Sequence, residues 1–177
     1  MNDPRARFEA VVMPHLDAAY RFALGLARSP ADAQDLVQDA FLRAFRGFDG
    51  LRGEARPWLL TIVRHCFLNT LEQRRRVAAV SLSDEEEAPT ALQLPAGDEG
   101  PEEATIRADH RHKLEDLLGL LASEHREVLV LREIEELSYR DIADIAGLPI
   151  GTVMSRLARA REALKDLWQR THGEEPA

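Results

Sequence analysis

The stretch "LSYRDIADIAGLPIGTVMSRLARAREAL", Leu137 to Leu164, decides how the rest of the chain is read. Ser138 followed by Asp141 forms a capping box that opens a helix, and Gly147 with Pro149 two residues on closes it. A second helix begins after the turn. At about 100° per residue, Ile150, Val153, Leu157, Ala160 and Leu164 share one face, which is expected to pack on the preceding helix through Ile142, Ala143 and Ile145. Thr152, Ser155, Arg159 and Glu162 lie opposite, with Ala158 on the flank and Arg156 and Arg161 toward the sides. Two helices joined by so short a turn have the arrangement of a helix-turn-helix, whose second helix enters the DNA major groove. Serine hydroxyls and arginine guanidinium groups suit base edges and phosphates, and Ala158 suits a thymine methyl. Met154 falls beside the apolar stripe and is expected to cover the turn. The bland alternative, arginines that only solvate an outer face, is disfavoured because the capping box, the glycine stop and the small Ala143 at the helix crossing occur together.

A DNA-reading helix in a chain of 177 residues with net charge -8 needs its acidity placed elsewhere. Residues 1–77 carry twelve Lys/Arg against nine Asp/Glu, residues 78–108 one against eight, and residues 109–177 ten against fourteen. The acidity is therefore concentrated in "VAAVSLSDEEEAPTALQLPAGDEGPEEA", Val77 to Ala104, which has three prolines, two glycines and no apolar period, and reads as a linker. A connection that long is uncommon inside one compact domain and argues for two. The lone cysteine, Cys66, lies in the apolar run "WLLTIVRHCFL", which excludes a disulfide framework and favours a reducing compartment. The N-terminus has no apolar core of a secretory signal, and no segment approaches the ~20 apolar residues of a membrane span. A cytoplasmic chain without membrane insertion is expected.

Upstream of the linker the pattern is helical throughout. "RFEAVVMPHLDAAYRFALGLARS" places Phe8, Val11, Val12, Leu16, Ala19, Tyr20, Ala23 and Leu24 at helical spacing, with a bend or restart expected at Pro14. In "SPADAQDLVQDAFLRAFRGF", Ser29 is the N-cap, Pro30 the first helical residue and Asp32 a first-turn acid. Val37, Ala40, Phe41, Ala44 and Phe45 form its expected core stripe; Asp35, Asp39, Arg43 and Arg46 lie opposite, flanked by Gln38 and Leu42. Leu36 and Leu42 stand off the stripe, which suggests that the outer face meets a partner. A third helix is expected from near Pro57 through "PWLLTIVRHCFLNTLEQRRR", with Trp58 in the core and a basic C-terminus suited to the helix dipole. The fold class is all-α: an N-terminal domain over 1–77, an acidic flexible linker over 78–108, and a C-terminal helix-turn-helix domain over 109–177.

Taken together, "DAQDLVQDAFLRAF", "RPWLLTIVRHCFLNTLEQRRR" and the opening stretch resemble, in that order, the anchors of bacterial RNA polymerase sigma factors of the extracytoplasmic-function class. The resemblance implies a promoter-specificity subunit with no catalytic residue and no cofactor or metal. It implies that Asp35, Leu36, Gln38, Asp39, Leu42 and Arg43 meet the clamp coiled coil of the largest polymerase subunit, with a further contact to the flap of the second-largest subunit. It implies a minus-ten pocket built from the loop "FDGLRGEA" and the following helix, with Arg52, Arg64, His65 and Asn69 as contacts and Arg74, Arg75 and Arg76 on phosphates. Extruded bases need apolar or aromatic walls and partners for their edges. For the minus-thirty-five element it implies Thr152, Met154, Ser155, Arg156, Ala158 and Arg159, and it implies an anti-sigma factor as a regulatory partner. His65 stands where such proteins usually have Asn, and Met154 where Lys or Arg usually precedes Ser; both departures bear on promoter preference.

Two other readings compete. A conventional helix-turn-helix regulator would bind operator DNA without polymerase, which leaves the second anchor and the basic third helix unexplained. A metalloenzyme could be imagined from Asp109, His110, His112 and His125, but the spacing puts His110 and His112 on different helix faces and no metal-binding pattern accompanies them. The acidic runs Asp84 to Glu87 and Asp98 to Glu103 are expected to occupy the basic nucleic-acid path of the polymerase.

Overall fold

The computed structural model describes residues 3–80, 114 and 116–172, and among these all regular structure is helical. Helix α1 spans Pro4–Val12, with the Asp3 carboxylate accepting from the Arg5 N–H at 3.0 Å. Pro14 has no N–H to continue the ladder, and the chain passes through one 3-10 turn, Met13–His15, before α2, Leu16–Ala27. Arg28 ends α2 in the left-handed conformation at φ 59°. Helix α3, Pro30–Gly47, opens as the sequence predicts, the Ser29 hydroxyl accepting from the Asp32 N–H at 3.3 Å. A 3-10 turn, Phe48–Gly50, leads to α4, Ala55–Val80, so residues 78–80 belong to a helix and not to the linker. The remaining linker positions, with the acidic runs Asp84–Glu87 and Asp98–Glu103, lie outside the described residues, as do Asp109, His110 and His112.

Helices α2, α3 and α4 pack on one another around Phe22, Ala33, Val37, Ala40, Ala44, Leu59, Leu60 and Val63. The alanines on α3 have little bulk to hold neighbours away, so both flanking helices approach closely. Phe8 closes one end of this bundle, edge-on to Phe45 and Phe48 with ring centres 5.2 and 5.4 Å away. Trp58 packs partly buried against the same core.

The second half begins with helical residues 116–120, then α5, Ser123–Leu129. The sequence predicts one helix over "SEHREVLVLREIEEL"; instead the winding loosens into a π turn, Val130–Ile134, where the Glu135 N–H reaches back to the Val130 carbonyl at 3.0 Å. Glu136 then takes φ 51° and the chain turns into α6, Tyr139–Ala146. After Gly147, at φ 66°, comes α7, Ile150–His172. Ile142, Ala143 and Ile145 meet Val153, Leu157 and Ala160, as the periodicity predicts. Ile150, assigned to the same stripe, is instead 46% exposed, because α6 ends before reaching it. The two halves do not stand apart: α2 packs on α5 and α4 on α6, and one apolar cluster runs from Phe8 to Ala160.

Candidate polymerase and nucleic-acid interfaces

Asp35, Gln38, Leu42 and Arg43 project from α3 into solvent, with Asp39 partly buried beside them. Leu42 is 58% exposed and borders an open apolar groove between α1 and α3, lined by Phe8, Met13, Phe41 and Phe45 with Arg5 and Glu9 on the rim. Leu36 does not belong to this face: it is 5% exposed and part of the core, because α3 is covered on two sides by α2 and α4. Phe45, assigned to the core stripe, is 49% exposed and lends its ring to the groove. Asp39 bonds Arg43 at 3.1 Å and also the Cys66 thiol; its carboxylate raises the Arg43 pKa through that hydrogen bond.

The loop before α4 is folded on itself by Arg52, which donates to the Asp49 and Leu51 carbonyls at 3.1 and 3.0 Å. His65 and Asn69 are exposed one turn apart on α4. Arg74 pairs with Asp32 at 2.9 Å and Arg76 with Glu72, while Arg75 makes no hydrogen bond or ion pair with the described residues. Arg64 is turned the other way. Its Nε donates to Glu127 of α5 at 2.5 Å, so in this arrangement it faces protein and not solvent.

On the helix-turn-helix the capping box is formed: the Ser138 hydroxyl accepts from the Asp141 N–H at 3.1 Å and donates to its carboxylate at 2.6 Å. Gly147 supplies the left-handed residue that lets the Leu148 N–H bond the Ala143 carbonyl at 3.0 Å, a position a side chain would strain. Ser155, Ala158 and Arg159 are exposed together on α7, and Arg159 makes no hydrogen bond or ion pair with the described residues. Met154, expected to cover the turn, is 53% exposed beside them. Thr152 is half-buried, and Arg156 lies low on the helix, 3.6 Å from Glu124 of α5. Arg161 is held by Glu133 at 2.6 Å, and that hydrogen bond raises its pKa.

The sequence reading missed a set of polar groups between the halves. Glu135, 0% exposed, receives Arg21 of α2 at 2.8 and 3.1 Å and Arg56 of α4 at 2.5 Å. The hydrogen bond to Glu135 is the main cause that raises the Arg21 pKa. Arg126 of α5 is buried and donates to the Gly25 carbonyl of α2 at 2.6 Å; burial first, then the like charge of Arg28, lowers its pKa to about 10. The available signal was an acid inside the apolar run "VLVLREIEEL", since a charge buried there requires a partner. Among the described residues no group of His, Cys, Asp and Glu side chains is placed to hold a metal ion, and no helix is long and apolar enough to cross a membrane.

The geometry thus sets a helix-turn-helix beside a helical bundle with an outward apolar groove. Residues 11–77 match the family model of Sigma-70 region 2, and residues 111–164 that of Sigma-70 region 4. The chain is 33% identical to the ECF RNA polymerase sigma factor SigE of Mycolicibacterium smegmatis over 90% of its own length and 60% of that protein's. It is also 33% identical to the RNA polymerase sigma-H factor of Pseudomonas aeruginosa, covering 92% of this chain and 86% of that one. Among solved structures it is similar to the sigma factor RpoE of Bartonella quintana in complex with the anti-sigma factor NepR, with a TM-score of 0.78, 28% identity, and coverage of 92% of this chain and 97% of that one. It is also similar to CnrH in complex with the cytosolic domain of CnrY, at a TM-score of 0.63, 26% identity, and coverage of 94% and 90%. The chain belongs to the extracytoplasmic-function class of the sigma-70 family of RNA polymerase sigma factors.

Proposed function

We propose that this chain joins core RNA polymerase through α3 and directs initiation at promoters carrying minus-thirty-five and minus-ten elements. The observation that carries the reading is the exposed face of α7, where Met154, Ser155, Ala158 and Arg159 stand clear of the core on a capped helix-turn-helix. That face enters the minus-thirty-five major groove, with Arg159 directed at a base edge or phosphate and Arg156 at the backbone. Asp35, Gln38, Asp39, Leu42 and Arg43 meet the clamp coiled coil, Leu42 acting as an apolar anchor in the manner of interface hot spots. His65 and Asn69 read melted minus-ten bases, with Arg52, Arg74, Arg75 and Arg76 on phosphates. The polymerase makes the bonds, so the chain needs no catalytic group, and it works in the cytoplasm. A relative's structure contains an anti-sigma factor, which supports a partner of that kind here.

Transcription in vitro with core polymerase on a library of genomic promoters tests the proposal. The expected result is initiation at a defined subset of sites, lost with Leu42→Asp. A chain that binds operator DNA alone and never engages core polymerase would be the conventional regulator instead.

A further inference from the structure

Three contacts cross from the first half to the second, and each uses a polar group taken out of water. Glu135 is gripped by Arg21 and Arg56, and Arg56 also donates to the Glu135 carbonyl at 2.7 Å. Glu127 holds Arg64. Arg126 reaches the Gly25 carbonyl, at a point where α2 lies so close that a Cβ on Gly25 would come within 2.9 Å of the Val130 side chain. The junction is nevertheless incompletely satisfied. The Arg28 Nε is buried without a hydrogen-bond partner, beside the like-charged Arg126. Charges held in this way regain hydration when an interface separates, so such a junction parts more readily than an apolar one of equal area.

Size shows that it has to part. The two promoter elements lie about 25 base pairs apart, roughly 85 Å at ~3.4 Å per base pair. A compact chain of 177 residues has a radius of gyration near ~16 Å, hence a diameter of about 40 Å. The closed form therefore cannot touch both elements. The residues between Val80 and Leu114 could span on the order of 100 Å if extended, enough to let the halves separate. The closed form also removes working surface. Arg64 is consumed by Glu127, and Asp35 and Asp39 line a cleft whose opposite wall is Ser123 and Arg126.

We infer that the free chain is autoinhibited by its own interdomain contact, with Glu135 as the latch, and that polymerase binding separates the halves. This rests on the sigma-factor reading above. By mass action, a binding-competent form that is only a small fraction of the free chain weakens apparent affinity by that fraction. The test uses the full-length chain as wild type, Glu135→Gln, Gly25→Leu and the double variant Arg21→Ala/Arg56→Ala, each checked for helix content by circular dichroism. Small-angle X-ray scattering of the free proteins should give a compact wild type and a larger radius of gyration for the variants. Titration with core polymerase should show the variants binding on the order of tenfold tighter or more. The double variant leaves the second half intact, so it remains informative if Gly25→Leu fails to fold. A wild type that is already extended, or folded variants as compact as wild type and no tighter on polymerase, would overturn the latch. The scattering arm needs no polymerase, so a chain that closes and opens as described but never supports initiation would sink the sigma reading and leave the latch standing.

Discussion

Leu36 and Leu42 look alike in the sequence, two leucines off the apolar stripe of one helix, yet one is buried in the core and the other faces solvent. Leu36→Ala is therefore expected to cost about 2–5 kcal/mol, read as a lower denaturation midpoint. Leu42→Ala should stay within about 0.5 kcal/mol of wild type while weakening polymerase binding. Equal stability losses would contradict the burial difference. Cys66 offers a second check at this scale. Burial, then the Asp39 carboxylate, pushes its thiol from 9.0 up to about 11. The folded chain keeps this proton to higher pH than the unfolded one, so the stabilisation is present below pH 9.0 and is lost as pH rises toward about 11. At pH 8 the folded protein should alkylate on the order of a hundredfold more slowly than a free thiol from thiolate fraction alone. Rapid labelling without denaturant would count against the burial.

At the scale of elements, the caps and stops were legible because they are local. Ser29, Ser138 and Gly147 bond within a few residues of themselves, so the starts of α3 and α6 and the end of α6 could be read without tertiary information. Removing one such bond in Ser138→Ala should destabilise the helix-turn-helix by about 1 kcal/mol, seen as a lower melting temperature. Periodicity served less well where neighbours end or crowd. It tells which side a residue faces, not how far the covering helix extends, hence Phe45 and Ile150 in the open and Leu36 inside. Arg64 illustrates what the site reading could not contain, since its partner lies 63 residues away on another element. Met154 was legible as a departure but not as an exposed one. Met154→Arg adds a cation on the proposed DNA face. Promoter binding by holoenzyme, measured across salt concentrations, should then gain about one unit of salt slope, and an unchanged slope would place this residue away from the phosphates.

For the whole molecule, the sequence separated two halves by composition and could not say that they share a core. The joining contacts are few and of long range, and their pattern depends on Gly25 and the π turn. Because one apolar cluster spans both halves, calorimetric unfolding of the wild type is expected as a single cooperative transition. Gly25→Leu should divide it into two, and two transitions already in the wild type would show the halves to be independent. The π turn at Val130–Ile134 has one more consequence. Its hydrogen bonds skip one residue further than those of an α-helix, which amounts to an extra residue in the winding. Deleting one residue there would restore regular winding and swing everything beyond it by about 100°. Another side chain would take the place of Glu135, and α6 and α7 would leave on a different bearing. In an alignment of related chains, a one-residue gap at this turn therefore marks a re-aimed recognition helix, although it lies in an element that carries none of the proposed DNA contacts.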